Sequence, residues 1–354
     1  MSIELPASRQ PSRRALAPAL GLFLLAPLVG EFLLGNLAIT WLWTLLTLAP
    51  LYGGGALLIR ELARRFSLGW PSMLILGLAY ALIEEAFVTE SLFNPDYVGL
   101  RLLDFGYLPV FGIGAWWTVF VLALHTIWST AVPIALVESL AFHSRRTPWL
   151  GPRGLALTAI VFVAGCVVTQ QFQPPAKIGA STAQLVSSVV IVATLVALAV
   201  FVGRHRPASR ADSALRSTKR LTLSPVLSGV MALAGGSAFM GLAAVHSAIP
   251  AAVNVAAMLI VLGAIAVAVL RWSRRTDWTE RHRLAVAGGF LLTYAWHSFV
   301  QVPSVGDVSP TENLVGDLVF SAGAVALLIT AFVRVARAGD ESARGGGATT
   351  AEVE

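Results

Sequence analysis

Ten apolar runs follow one another along the chain, each near the 20 or so residues that a helix needs to cross a hydrocarbon core. They cover residues 16–37, 39–59, 71–93, 115–141, 154–172, 183–203, 224–243, 250–271, 284–303 and 314–333. The connecting segments alternate in charge. Arg60, Arg64 and Arg65 follow the second run, Arg145, Arg146 and Arg153 the fourth, and Arg204, Arg206, Arg210, Arg216, Lys219 and Arg220 the sixth. Further basic clusters lie at 271–283 and 334–344, after the eighth and tenth runs, whereas odd-numbered runs are followed only by Arg101 and Lys177. With Arg9, Arg13 and Arg14, all but two of the 25 basic residues fall on one side. Because basic residues are retained on the cytoplasmic side, the pattern predicts an all-α polytopic transmembrane helix bundle of about ten spans with both termini cytoplasmic.

Composition excludes the main alternatives. Of 354 residues 56% are hydrophobic and 12% charged, with a mean hydropathy of +0.75, which no water-soluble domain of this size tolerates. The net charge of +6 comes from the short clusters between spans and is not a nucleic-acid footprint. The single cysteine, Cys166, lies within an apolar run, so no intrachain disulfide forms and a thiol nucleophile is disfavoured. The expected organisation is a cytoplasmic lead over 1–15, a membrane domain over 16–337 with a polar linker at 204–223, and a disordered tail over 338–354. Trp41, Trp43, Trp116 and Trp117 fall at outer span ends and Trp70, Trp149, Trp272 and Trp278 at inner ends, as interfacial aromatic belts do. The other two, Trp128 and Trp296, lie within spans, each close to a histidine.

The costliest stretch is Ala81 to Phe93, which sets Glu84, Glu85 and Glu90 in an apolar run. A charge at the centre of a membrane helix costs roughly 2.5–3.5 kcal/mol on insertion scales, so these groups need partners, protons or a hydrated cavity. The topology converts sequence position to depth at about 1.5 Å per residue. Glu84 and Glu85 then lie about 12–14 Å below the outer end of their span, His125 about 14 Å and His297 about 9 Å below the ends of theirs. Glu31 and Asn36 on the first span, and Gln170 and Gln171 on the fifth, also approach the outer side. His125 and Ser129 share one face of the fourth span, and Thr293, His297 and Gln301 form a stripe four residues apart on the ninth. Glu84 and Glu85 point about 100° apart, so one faces the site while the other braces a neighbour. The expected site is a hydrated pocket where Glu84 or Glu85, His125 and His297 converge, walled by Trp128 and Trp296, with Gln301 facing the same way. The bland alternative is that each polar group pairs structurally with its own neighbours.

The Glu84-Glu85 pair, a histidine one helix later and a His-x-x-x-polar motif on a later helix resemble the CPBP family of CAAX prenyl proteases and bacteriocin-processing enzymes, which are glutamic-type intramembrane proteases. Thr89 stands where that family has arginine, Val121 where it has phenylalanine, and Gln301 replaces its asparagine. The resemblance implies that Glu84 with His125 prepares a water, that His297 and Gln301 hold the developing oxyanion, and that no cofactor is needed. Independently of it, a buried carboxylate beside a histidine serves as acid or base, and Glu84, His125 and His297 form a possible zinc set. Expected partners are the lipid bilayer and a membrane or exported peptide substrate, with no nucleic acid, and the expected location is a bacterial plasma membrane. Two other classes compete with this endopeptidase reading: a proton-coupled or small-molecule transporter, and a non-catalytic immunity or assembly protein. Residues 94–114, the one long outer segment, read as a lid, a re-entrant hairpin or a plain crossover.

Overall fold

The computed structural model describes residues 13–173, 179–205 and 224–348. The linker expected at 204–223 and the first 12 residues fall almost wholly outside the described residues. Among the described residues, nine helices are long and apolar enough to cross a membrane. They are α1 (Leu16–Leu33), α2 (Ile39–Arg65), α3 (Trp70–Val88), α4 (Ala115–Leu140), α5 (Pro152–Phe172), α6 (Thr182–Arg204), α7 (Pro225–Ala244), α8 (Ala251–Ser273) and α10 (Pro310–Gly339). The chain is therefore an all-α polytopic membrane protein. The expected ninth span is the exception: α9 (Glu280–His297) has 18 residues and opens with Glu280, Arg281 and Arg283, which leaves too short an apolar stretch to qualify by itself. The helix of α10 continues to Ala348, into the stretch expected to be disordered, and 349–354 lie outside the described residues.

Helix α9 is the axis of the larger core. Leu284, Leu291 and Tyr294 are fully buried there, and α9 packs on α7, α4 and α10. Its approach to α7 requires glycine, since a Cβ on Gly289 would stand 2.3 Å from the Gly229 carbonyl oxygen. A second core joins α1, α2, α3, α4 and α5 around Leu22, Leu51, Tyr52 and Tyr80. Here α1 and α2 cross so closely that a Cβ on Gly53 would meet the Phe23 carbonyl oxygen at 1.9 Å. Helices α5, α6, α8 and α10 surround these cores with exposed Val, Leu and Ile, which suits them to lipid.

The arginine-rich ends gather at one end of the bundle, as the charge alternation requires. Arg60 and Arg64 at the end of α2 pair with Glu138 near the end of α4, Arg145 lies 3.3 Å from Glu280 at the start of α9, and Arg334 on α10 donates to the Leu140 carbonyl at 3.1 Å. At the opposite end, the segment 94–114 carries a single 3₁₀ turn (Tyr97–Gly99) and a two-stranded hairpin, β1 (Tyr107–Leu108) against β2 (Ile113–Gly114). Gln184 at the start of α6 donates to the Phe111 carbonyl at 2.9 Å and ties the hairpin down.

Candidate functional site

Four helices leave regular α geometry at the residues that carry the polar cluster. Leu28–Leu33 of α1, Ala49–Gly53 of α2, Glu84–Val88 of α3 and His125–Ala131 of α4 are all π-helical. They contribute Glu31, Tyr52, Glu84 with Glu85, and His125 respectively. A π segment loosens the i→i−4 ladder and re-aims side chains, which is why such segments recur at functional sites.

His125 sits between two carboxylates. Its Nε2 is 2.8 Å from Glu85 Oε1 and its Nδ1 is 3.2 Å from Glu84 Oε2. Glu84, Glu85 and His125 are 1%, 3% and 7% exposed, and each offers a ligand atom within 4.8 Å of the others. Both carboxylates thus reach the histidine, where helical spacing predicted one; the π segment at Glu84–Val88 removes the regular 100° separation. The Tyr52 and Tyr80 rings flank the imidazole at 5.6 and 6.3 Å. Tyr52 donates its phenol hydrogen to Glu31, which also accepts from Asn36 Nδ2 at 2.6 Å.

Glu85 is held by a chain of donors. Ser91 Oγ donates to Glu85 Oε2, Thr89 Oγ1 lies 3.1 Å from the same oxygen, and Trp117 Nε1 donates to Ser91 Oγ at 2.9 Å. Ser91 folds back because the backbone leaves α3 through Glu90 in the left-handed region, at φ 53°. Glu84 is held more loosely: its Oε2 lies 3.2 Å from His125 Nδ1, and the buried Tyr80 phenol stands beside its carboxylate as a donor. Above the cluster Tyr97 is half-buried, and burial together with Glu85, Glu31 and Glu84 pushes its phenol above the usual value, so it stays protonated. Among the described residues, no ion pair joins Glu31, Glu84 or Glu85 to an arginine.

His297 and Gln301 do not join this group. Helix α9 ends at His297, a 3₁₀ turn covers Ser298–Val300, and Gln301 is extended at ψ 139°, so the stripe leaves helical geometry after His297, although the Gln301 side chain still reaches that histidine. Gln301 Nε2 donates to the Val302 carbonyl at 3.1 Å, and Thr293 Oγ1 to that of Gly289. His297 is buried with Nδ1 unpartnered, outside the Glu84–Glu85–His125 set. The zinc set of Glu84, His125 and His297 is therefore not assembled. Nor do the tryptophans wall a pocket. Trp128 is fully buried, stacks on Tyr294 at 4.7 Å and donates to the Phe290 carbonyl at 2.7 Å, while Trp296 faces outward and donates to Ser237 Oγ at 2.9 Å. Glu90 also stays apart, its carboxylate lying beside Gly179.

Tyr52, Tyr80, Ser91 and Trp117 were not legible as site residues. Glu31 was visible as the one carboxylate of the first span, and a search for all intramembrane carboxylates and phenols in one layer would have gathered Glu31 and Tyr52. No curated protein and no solved structure matches the chain. Across residues 20–342 it matches an uncharacterized membrane protein family, and the chain belongs to that family.

Proposed function

We propose that this protein is an intramembrane hydrolase that cleaves a peptide bond with a water activated by Glu84 and His125. The observation that carries the reading is the imidazole held between two buried carboxylates. Glu85, fixed by Ser91 and Thr89, orients the ring through Nε2, as the third member of a catalytic triad orients its histidine. Glu84, whose Oε2 lies 3.2 Å from His125 Nδ1, takes the proton of the attacking water and hands it to the imidazole, which delivers it to the leaving amine as the peptide C–N bond breaks. The Tyr80 phenol, buried beside Glu84 and His125, serves the oxyanion, a role the CPBP resemblance assigned to His297 and Gln301. The reading places the protein in a bacterial plasma membrane with the arginine-rich end cytoplasmic, and its substrate in or beyond the membrane.

A proton-coupled carrier is the second reading. Three carboxylates and one imidazole share the cluster, and among the described residues no arginine pairs with them, which suits a proton relay. Purified protein offered a library of membrane-spanning and exported peptides separates the two. Cleavage that survives His297→Gln and is lost in Glu84→Gln and His125→Gln supports the hydrolase. Absence of cleavage together with proton-driven uptake into proteoliposomes would replace it with the carrier.

A further inference from the structure

Two of the four π segments supply residues that the proposed hydrolysis leaves without a part, Glu31 from α1 and Tyr52 from α2. Tyr52 donates its one phenol hydrogen to Glu31, and the same phenol also lies beside the Glu84 carboxylate. Its ring fits against α1 because residue 30 is glycine, where a Cβ would stand 3.0 Å from both the Tyr52 ring and Ser129 Oγ. A phenol has one hydrogen, and here it has two carboxylates to serve. Whichever carboxylate it does not serve must bring a hydrogen of its own to face the phenol oxygen, because two bare acceptors repel in a low dielectric. One proton therefore belongs to Glu31, Tyr52 and Glu84 as a set. With no arginine paired to either carboxylate among the described residues, that proton and His125 are the counter-charges at hand.

Glu31 differs from Glu84 in its access to water. Glu84 is 1% exposed, whereas Glu31 is partly exposed near the outer end of α1. The second Glu31 oxygen accepts from Asn36 Nδ2 at 2.6 Å. Asn36 is held in turn by Ser304, whose N–H donates to the Asn36 carbonyl at 3.1 Å and whose hydroxyl donates to its amide oxygen. Ser304 is exposed between α9 and α10, at the end of the bundle opposite the arginine-rich turns. The titratable groups around this route are Tyr52, Glu84, Glu85, His125, Tyr97 and Tyr294.

We infer that Glu31 and Tyr52 form a proton relay that joins Glu84 to the outer face. Glu84 gives its hydrogen to the Tyr52 oxygen while Tyr52 gives its own to Glu31. Two O–H bonds break, at Glu84 and Tyr52, and two form, at Tyr52 and Glu31, so the phenol is left unchanged. The partly exposed carboxylate then exchanges the proton with water. The inference rests on the proposed hydrolase in one respect. Hydrolysis sends one proton of the water to the leaving amine and leaves the other on the new carboxyl, and Glu84 collects this second proton as the product ionises. The route itself needs no substrate.

Infrared spectroscopy of the protein in lipid films tests the relay. Near pH 7, where ordinary carboxylates are ionised, wild-type protein shows a protonated-carboxyl band that is lost in Glu84→Gln and in Glu31→Gln alike, since either amide donates to Tyr52 itself and removes the need for the shared proton. His297→Gln keeps the band. On transfer to D₂O, at a pH that keeps Glu84 protonated, the band of Tyr52→Phe shifts at least about tenfold more slowly than that of wild type. A packing defect predicts the opposite, because a loosened site exchanges faster. Either experiment decides alone should the other's variants fail to fold. No such band in wild type, or a band lost in only one of the two Gln variants, overturns the inference, and so does exchange in Tyr52→Phe as fast as in wild type. The shared band with slowed exchange in a protein that cleaves nothing would support the relay and count against the hydrolase alone. Cleavage that depends on Glu84 without the shared band would remove the relay and leave the hydrolase standing.

Discussion

Arg60 gives the sharpest prediction about stability. It is fully buried near the arginine-rich end of α2, with its guanidinium 3.4 Å over the Trp149 ring. Its Nε lies 3.2 Å from Glu138, Nη1 donates to Glu61, and Nη2 reaches the carbonyls of Ser144, Arg145 and Thr147 at 3.3, 3.1 and 2.7 Å. The residue thus pins the turn after α4 to α2. In Arg60→Met, breaking a buried pair would cost about 3–5 kcal/mol if the partners were left uncompensated. They are not. Glu138 keeps two bonds from Arg64, and Glu61 keeps the backbone N–H groups of Trp149 and Leu150. The loss is then the stranded carbonyls plus the cation–π contact, about 3 kcal/mol in all. Arg64→Met, at a side chain 14% exposed with a single carboxylate partner, costs about 1 kcal/mol. Reversible unfolding in mixed micelles of increasing SDS fraction measures both. A loss below about 1 kcal/mol for Arg60→Met, or equal losses for the two variants, would refute the reasoning.

Other consequences are as direct. Gly53→Ala forces a methyl group against the Phe23 carbonyl and separates α1 from α2, so the unfolding midpoint falls sharply, by about 3 kcal/mol or more, whereas Gly21→Ala, with open space around it, changes little. Trp128→Ala removes a fully buried ring stacked on Tyr294 and costs about 3–5 kcal/mol in the same assay. Burial and the carboxylates beneath Tyr97 raise its phenol in the folded state, so that group's contribution is complete below the ordinary value near 10 and is lost as pH rises beyond it. Tyr97→Phe should flatten the alkaline limb of a stability–pH profile. In a Cys166→Ser background, a cysteine at Asp104 should react in intact cells with an impermeant thiol reagent and one at Ser213 should not; the reverse would invert the orientation.

The membrane bundle was legible because bilayer thickness imposes a length and arginine retention imposes a side, and both leave a mark at every crossing. α9 escaped the length rule because protein, not lipid, surrounds it, so its charged first turn is satisfied by Arg145 and Arg283. Glu84, Glu85 and His125 were legible from cost: a carboxylate in an apolar run must find a partner, and the nearest helix at the same depth supplied it. Depth alone could not place His297, because it fixes height along the bundle and not direction around the helix. Gln301 keeps its contact with His297 but from extended backbone, because the helix ends at His297 rather than running on to 303. The π segments left no pattern in hydropathy, yet they bring Glu31, Tyr52 and both members of the Glu84-Glu85 pair into one group.

Coupling energies test that grouping most directly. Stabilities of Glu85→Gln, His125→Gln and His297→Gln, and of the two double variants that contain His125→Gln, form two thermodynamic cycles. Side chains in one buried network couple by about 0.5–3 kcal/mol, and independent sites add to within about 0.5 kcal/mol. The account predicts a coupling of at least 1 kcal/mol between Glu85 and His125, and additivity between His125 and His297 to within about 0.5 kcal/mol. Additivity in the first cycle with strong coupling in the second would contradict it.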